Sequence, residues 1–341
     1  MNLTPRFLDP SQAARRLGVS PKALRLYEQR GLIVPARTAA GWRSYGPQEM
    51  LRASEIVALR TLGFSLAQVA RLMQGDAQAL APALAAHQAN LQGQVQALAA
   101  TIEKISRLRM GLAEGQTPAL HEVTDLLAPA RHASVEIELP WPWGGELFRL
   151  PAICKLTYIT GPLGSGKTRL AWHLAKALPN AVFVGLERLE SLDALESNPA
   201  LRLRVDKALA WLLEEGALVS DSLTALVTAL EAEGPAFFII DMIEQGLDKS
   251  TQQAVAAWLQ CRANHNRPIM MLTRSNIILD MTGLPNGDEA IIFCPANHSP
   301  PVCVERYPGS AGYEAVASCL APPEVRERTA GVMARWQDSH D

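Results

Sequence analysis

Residues 155–168 read KLTYITGPLGSGKT, and RLAWHLAKAL follows over 169–178. A short β-rich run, a glycine loop and an amphipathic helix in that order are the context that a phosphate-binding P-loop requires. Gly161, Gly164 and Gly166, with Pro162, Leu163 and Ser165 between them, let backbone N–H groups close around phosphates. Lys167 would carry positive charge to the terminal phosphates, and Thr168 would offer its hydroxyl to Mg²⁺. Further along, the apolar run AFFII (236–240) ends in Asp241, as a Walker B strand would, with the carboxylate placed to hold Mg²⁺ directly or through water. After a helix comes another strand-like run, PIMMLT (268–273). Residues 141–341 are therefore expected to form an α/β P-loop NTPase domain that binds a nucleotide with Mg²⁺.

Upstream of that loop the charge changes sign. The 341-residue chain has a net charge of −2, yet residues 1–75 hold 11 Lys/Arg against 4 Asp/Glu, a net +7, leaving 21 against 30, a net −9, for the rest. A polyanion-binding face is thus expected in the first segment. There, Asp9-Pro10-Ser11 can cap a helix that Gly18 stops, and Ser20-Pro21 can start a second that ends at Gly31. Helix, short turn and helix make the layout of a helix-turn-helix. On the second helix Lys22, Arg25 and Gln29 share a face, while Leu24 and Leu26 can pack inward. LIVPARTAAGWRSYG (32–46) suits a two-stranded wing that projects Arg37, Arg43 and Tyr45. Two more helices follow, with Leu51, Ile56, Leu59, Leu62, Phe64, Leu66, Val69 and Leu72 as the expected buried set.

Over residues 13–73 this order resembles the winged helix-turn-helix of the MerR family of transcription regulators. The resemblance implies that Ser20, Lys22 and Arg25 sit at the major groove of double-stranded DNA, and that Tyr27, Arg37, Arg43 and Tyr45 contact its backbone. It also implies an antiparallel dimerisation helix next in the chain. Independently, Leu84, Leu91, Leu98, Ile105 and Leu112 recur every seven residues, with Val95, Ile102 and Leu108 on the adjoining stripe. That spacing reads as a coiled-coil seam over 76–116, although a helix packed on its own chain would give the same pattern. Residues 117–140 read as a linker, with His121 and His132 at its surface. The expected architecture is multidomain: an all-α winged helix-turn-helix (1–75) plus a long coiled-coil helix, followed by the α/β domain.

The second half resembles an ABC-type ATPase, including its RecF-like and SMC-like branch. DMIEQGLD (241–248) lies over that family's Walker B aspartate, catalytic glutamate and D-loop, with Gly246-Leu247-Asp248 fitting the last. The departures are specific. Met242 stands at the catalytic glutamate, Arg274 at the switch histidine, and no LSGGQ precedes the strand, Ser220 being the nearest candidate. Methionine cannot act as a base. Glu244 can take that role if its loop turns it inward, and is otherwise a surface carboxylate. Hydrolysis is expected to be slow or absent while binding persists. Trp141 or Trp143 would stack on adenine or simply pack at the domain boundary.

Five cysteines without a CxxC pair argue against a disulfide framework, and no apolar run is long enough to span a membrane. Both point to the cytoplasm. Cys294, His298 and Cys303 match no short zinc-site spacing. Three readings follow. A homodimer docks two recognition helices on a promoter and distorts it for RNA polymerase, with ATP biasing the state. Alternatively, a DNA-anchored ATPase uses hydrolysis for remodelling, or the P-loop is a structural relic in a protein with another effector.

Overall fold

Asp9 accepts a hydrogen bond from the Gln12 amide and starts α1 (Pro10–Leu17), which Gly18 ends in the left-handed conformation at φ 71°. Ser20 Oγ accepts from the Ala23 amide at 3.1 Å and starts α2 (Pro21–Gln29). The wing is β1 (Ala36–Arg37) paired antiparallel with β2 (Arg43–Ser44), followed by α3 (Pro47–Thr61) and α4 (Leu66–Met73). The computed structural model describes residues 7–78, 80–114, 134–261, 267–282 and 289–320.

Ala13, Ala14, Leu24, Tyr27, Ile33, Tyr45, Ile56, Phe64, Leu66 and Val69 form the core of this helical unit. Leu59, Leu62 and Leu72 pack at its margin. Leu51 is the exception to the expected buried set, at 63% exposure. At 3.6 residues per turn it lies on the far side of α3 from Ala53 and Ile56, which hold the buried face. Next, α5 (Leu80–Ala113) runs as one helix of 34 residues, and Leu84, Leu91, Val95, Leu98, Ile102, Ile105 and Leu112 along it are all exposed.

The second unit opens with a hairpin, β3 (Val135–Glu138) against β4 (Leu147–Leu150). The linker expected to reach residue 140 therefore gives way to sheet at Val135, because Val135, Ile137 and Leu139 alternate inward and are buried. Linker residues 117–133, with His121 and His132, lie outside the described residues. The unit continues through β5 (Leu156–Thr160), α6 (Lys167–Ala177), β6 (Ala181–Val184), a 3₁₀ turn (Arg188–Leu192), α7 (Asp193–Ser197), α8 (Pro199–Glu215) and α9 (Asp221–Glu231). It closes with β7 (Phe237–Ile240), α10 (Lys249–Cys261), β8 (Ile269–Leu272), β9 (Glu289–Phe293), β10 (Val302–Cys303) and α11 (Tyr313–Cys319).

The strands form a six-stranded sheet in the order β10-β9-β5-β8-β7-β6, parallel except for β10. Both faces are covered, so the central strands are apolar without alternation. Leu156, Tyr158, Phe238, Ile240, Ile269 and Met271 face the helices α8–α10. Ile159, Phe237, Ile239, Met270, Leu272 and Ile292 face α6 and the hairpin. This is the α/β architecture expected for the second half. Among the described residues no helix is long and apolar enough to cross a membrane.

The units meet where α8 ends. Glu215 Oε2 accepts from the Leu66 amide at 2.9 Å and from Arg60 at 2.8 Å, the Ser65 hydroxyl donates to Glu214 at 2.8 Å, and Trp211 Nε1 donates to Gly63 O at 2.9 Å. Ser65 and Gln68 form a capping box at the N-terminus of α4, Glu215 takes the Leu66 amide that the box leaves over, and Glu214 takes the Ser65 hydroxyl.

Candidate functional site

The glycine loop leaves the carboxyl end of β5 in the middle of the sheet, the end at which open α/β sheets bind ligands. Two glycines there are demanded by neighbours. A Cβ on Gly161, at φ 150°, would collide with the Cys294 carbonyl at the end of β9. One on Gly166, at φ 87°, would lie 2.6 Å from the Trp143 ring. Trp143 is itself buried, its Nε1 donating to Ser299 O at 3.1 Å, so it supports the loop from below. Of the two tryptophans only Trp141 presents an exposed ring, and the Arg169 guanidinium lies over it at 4.6 Å.

Lys167 is 8% exposed, and its Nζ donates to Gly161 O at 2.9 Å and Pro162 O at 2.6 Å. Burial, and then the nearby Arg274 charge, lower its pKa, against the opposing influence of Cys294 and Asp241. Thr168 Oγ1 donates to Asp241 Oδ2 at 3.0 Å across the gap between loop and β7. Asp241 is buried, which raises its pKa; the hydrogen bond from Thr168 and the Lys167 charge oppose that rise. A buried ammonium at the mouth of a glycine loop and two adjacent oxygen donors fit a phosphate and a hard divalent cation, respectively.

Beyond β7 the chain turns sharply, with Met242 in the left-handed region at φ 42°. The turn carries Glu244 inward: its side chain is buried, and Oε1 accepts from the Arg274 amide at 2.9 Å. Of the two orientations open to it, the inward one is realised, beside Asp241, whose pKa it helps to raise. Sequence reasoning missed Arg188. This buried side chain donates to the carbonyls of Met242 at 3.0 Å and Gln245 at 3.3 Å and braces the same turn. Nothing in the local sequence ERLES distinguishes it from a surface arginine. Gly246 approaches Ser222 too closely for a side chain, and Asp248 caps α10 through the Thr251 amide at 2.9 Å. Ser220 caps α9, its Oγ accepting from the Leu223 amide at 3.2 Å. Cys294 is buried and its thiol is pushed up to about 12 by burial, whereas Cys303 is exposed. Among the described residues no group of three or more His, Cys, Asp or Glu could hold a metal ion.

In the helical unit the expected DNA-facing residues divide. Arg25 is exposed on α2, and Ser20 spends its hydroxyl on the helix cap. Arg37 and Arg43 of the wing both bind one carboxylate, Glu28 of α2, Arg37 at 3.1 Å. Lys22 donates at 3.1 Å to both the Asn276 carbonyl and Asp280 of the second unit. Tyr27 and Tyr45 are corrections: at 6% and 0% exposure they belong to the core and not to a phosphate-facing surface. Both rings pack into the apolar core of the helical unit, where a large aromatic surface is removed from water, and burial raises the pKa of both.

Parts of this chain are similar to known proteins. The profile of the MerR HTH family regulatory proteins matches residues 9–76. A probable heavy metal-dependent transcriptional regulator of Haemophilus influenzae is 35% identical over 102 residues, 28% of this chain and 80% of its own. Transcriptional regulator BrlR of Pseudomonas aeruginosa is 34% identical over 116 residues, 32% of this chain and 43% of its own. Among solved structures, the SMC head domain from Thermotoga maritima is similar with a TM-score of 0.39 and 12% identity, over 51% of this chain and 99% of that one. A putative metal-chelate type ABC transporter in an inward-facing conformation gives 0.37 and 15%, over 51% and 83%.

Proposed function

Because the chain belongs to the MerR HTH family of regulatory proteins, we propose that it is a cytoplasmic, sequence-specific transcription regulator whose promoter binding is modulated by ATP. The observation that carries the nucleotide half is the buried Lys167 beside the Thr168–Asp241 pair, in the same chain as the helix-turn-helix. Lys167 and the amides of residues 161–168 would hold the phosphates, and Thr168 and Asp241 would hold Mg²⁺. A bound nucleotide supplies charge and contacts that differ between conformations, which is all that a population shift requires. Ser20, Lys22 and Arg25 would read the major groove, and Arg37 and Arg43 would meet backbone phosphate. The exposed apolar stripe from Leu84 to Leu112 would join two copies through a coiled coil over 76–116. Two recognition helices in successive grooves can then deform the promoter between them for RNA polymerase.

Glu244 favours a second reading. A buried carboxylate next to Asp241 is placed to act as a base, which a DNA-anchored ATPase would need. One experiment separates the two. ATP with Mg²⁺ is titrated into the full chain with and without a duplex selected from a random-sequence pool, while phosphate release is followed. A switch shows equal and reciprocal shifts in ATP and DNA affinity with little turnover. Identical affinities in both arms reject it, and steady turnover abolished by Glu244→Gln moves the assignment to the ATPase.

A further inference from the structure

Lys22 and Leu26 of α2 and Arg30 at its C-cap follow one another at four-residue steps and so line one flank of the helix and its end. Both charged ends of that flank are held by the second unit. Lys22 Nζ meets the Asn276 carbonyl and Asp280 Oδ1, each at 3.1 Å, and Arg30 Nη2 donates to the Glu215 carbonyl at 2.6 Å. A Cβ on Gly216, at φ 104°, would collide with Arg30 Nη2 and so push the guanidinium off the Glu215 carbonyl. An α-helix with its side chains is about 10–12 Å across, and the major groove is about 12 Å wide. A recognition helix in the groove therefore has DNA on both flanks, and α2 cannot enter it while one flank is tied to another domain. The tie also brings Asp280, Glu214 and Glu215 close to where the phosphates would run.

We infer that the docked second unit is an autoinhibitory contact: residues 276–280 and the end of α8 hold the flank of α2 against DNA. The same segment leads back to the glycine loop. It starts at the carboxyl end of β8, where the Arg274 amide is held by Glu244, and Ser275 pins its turn through Gln252 at 2.6 Å. Arg274 Nε is buried without a hydrogen-bond partner among the described residues, on a guanidinium whose charge is felt at Lys167. A phosphate at the loop would attract that guanidinium and draw on the segment that carries Asn276 and Asp280. This route to release rests on the nucleotide-binding reading above; the contact itself does not.

The test measures binding of the full chain to a fluorescein-labelled mixed-sequence duplex spanning two successive major grooves, with and without ATP and Mg²⁺. Two variants loosen the contact by different means: Asp280→Asn removes a charge, and Gly216→Ala wedges Arg30 away with no change in charge. Both are expected to tighten DNA binding about fivefold or more without nucleotide, the lower end of ordinary allosteric coupling, and to blunt any response to ATP. Tightening by Asp280→Asn alone would be simple charge repulsion and would overturn the contact, as would no change in either. If Gly216→Ala fails to fold, Asp280→Asn is repeated in a Lys22→Gln chain. An undiminished gain there rejects the contact, and a vanished gain supports it. Wild-type binding that ignores ATP while both variants tighten removes nucleotide control and leaves the contact standing.

Discussion

Lys167 in the sheet unit and Arg43 in the wing are two cations proposed to meet phosphate, yet their surroundings differ. Lys167 is 8% exposed, and its hydrogen bonds run to loop carbonyls and the Ser165 hydroxyl at 3.4 Å. Arg43 lies at the surface against Glu28, which it shares with Arg37. A desolvated ammonium whose hydrogen bonds run to carbonyls and a hydroxyl, with the Asp241 charge nearby but turned to Thr168, would gain from an arriving phosphate the anionic partner that replaces its lost hydration. A surface guanidinium paired with a carboxylate is held by only about 0–1 kcal/mol, so on the proposed reading DNA phosphate would readily take the place of Glu28. The buried site is thus prepared by geometry, and the surface site by competition.

The strongest way to break this contrast is Lys167→Ala. At a concentration about a hundredfold above its Kd, ATP should stabilise the wild-type chain by about 2.7 kcal/mol, and the variant should show no shift in melting temperature. An undiminished shift would mean that the loop does not depend on its buried cation. Comparable in size, Gly166→Ala sets a methyl group against Trp143 and should cost about 1–3 kcal/mol through overpacking, added to left-handed strain. Gly41 in the wing, at φ 80° with nothing within 4 Å of its Cβ position, is the matched control. Gly41→Ala should carry only the strain, about 1–2 kcal/mol; equal urea midpoints for the two variants would erase the distinction between packed and open loops. Smallest is Glu28→Gln, which frees Arg37 and Arg43. Folding stability should fall by less than about 1 kcal/mol, while DNA binding tightens and its salt dependence steepens. Weaker DNA binding would show that Glu28 orients the wing instead of competing for it.

Much of both units was legible because local rules act at their edges. Asp9, Gly18 and Ser20 mark helix ends through their own caps, and the glycine spacing of 161–166 is a backbone requirement written directly into residue type. What resisted reading depends on the face a side chain finds. Tyr27 and Tyr45 have the composition of DNA contacts and the position of core residues. Leu51 has the composition of a core residue and the position of a surface one. Glu244 was open to either orientation until the turn at Met242 sent it inward, and Arg188 gave no signal, because its partners are carbonyls far along the chain.

The sequence by itself determined the order of the parts: a capped helix-turn-helix, a heptad helix, and a strand, glycine loop and helix ahead of an acidic strand end. Periodicity, caps and glycines are short-range properties, so the chain states them locally. Only the tertiary structure decided how charge is shared between the parts. It set Glu215 on the N-terminus of α4, Asp280 on Lys22 and Glu28 between two wing arginines. Lys22 and Asp280 stand 258 residues apart, and no local pattern specifies a pairing across that distance; it follows from the surfaces that the two folded units bring together.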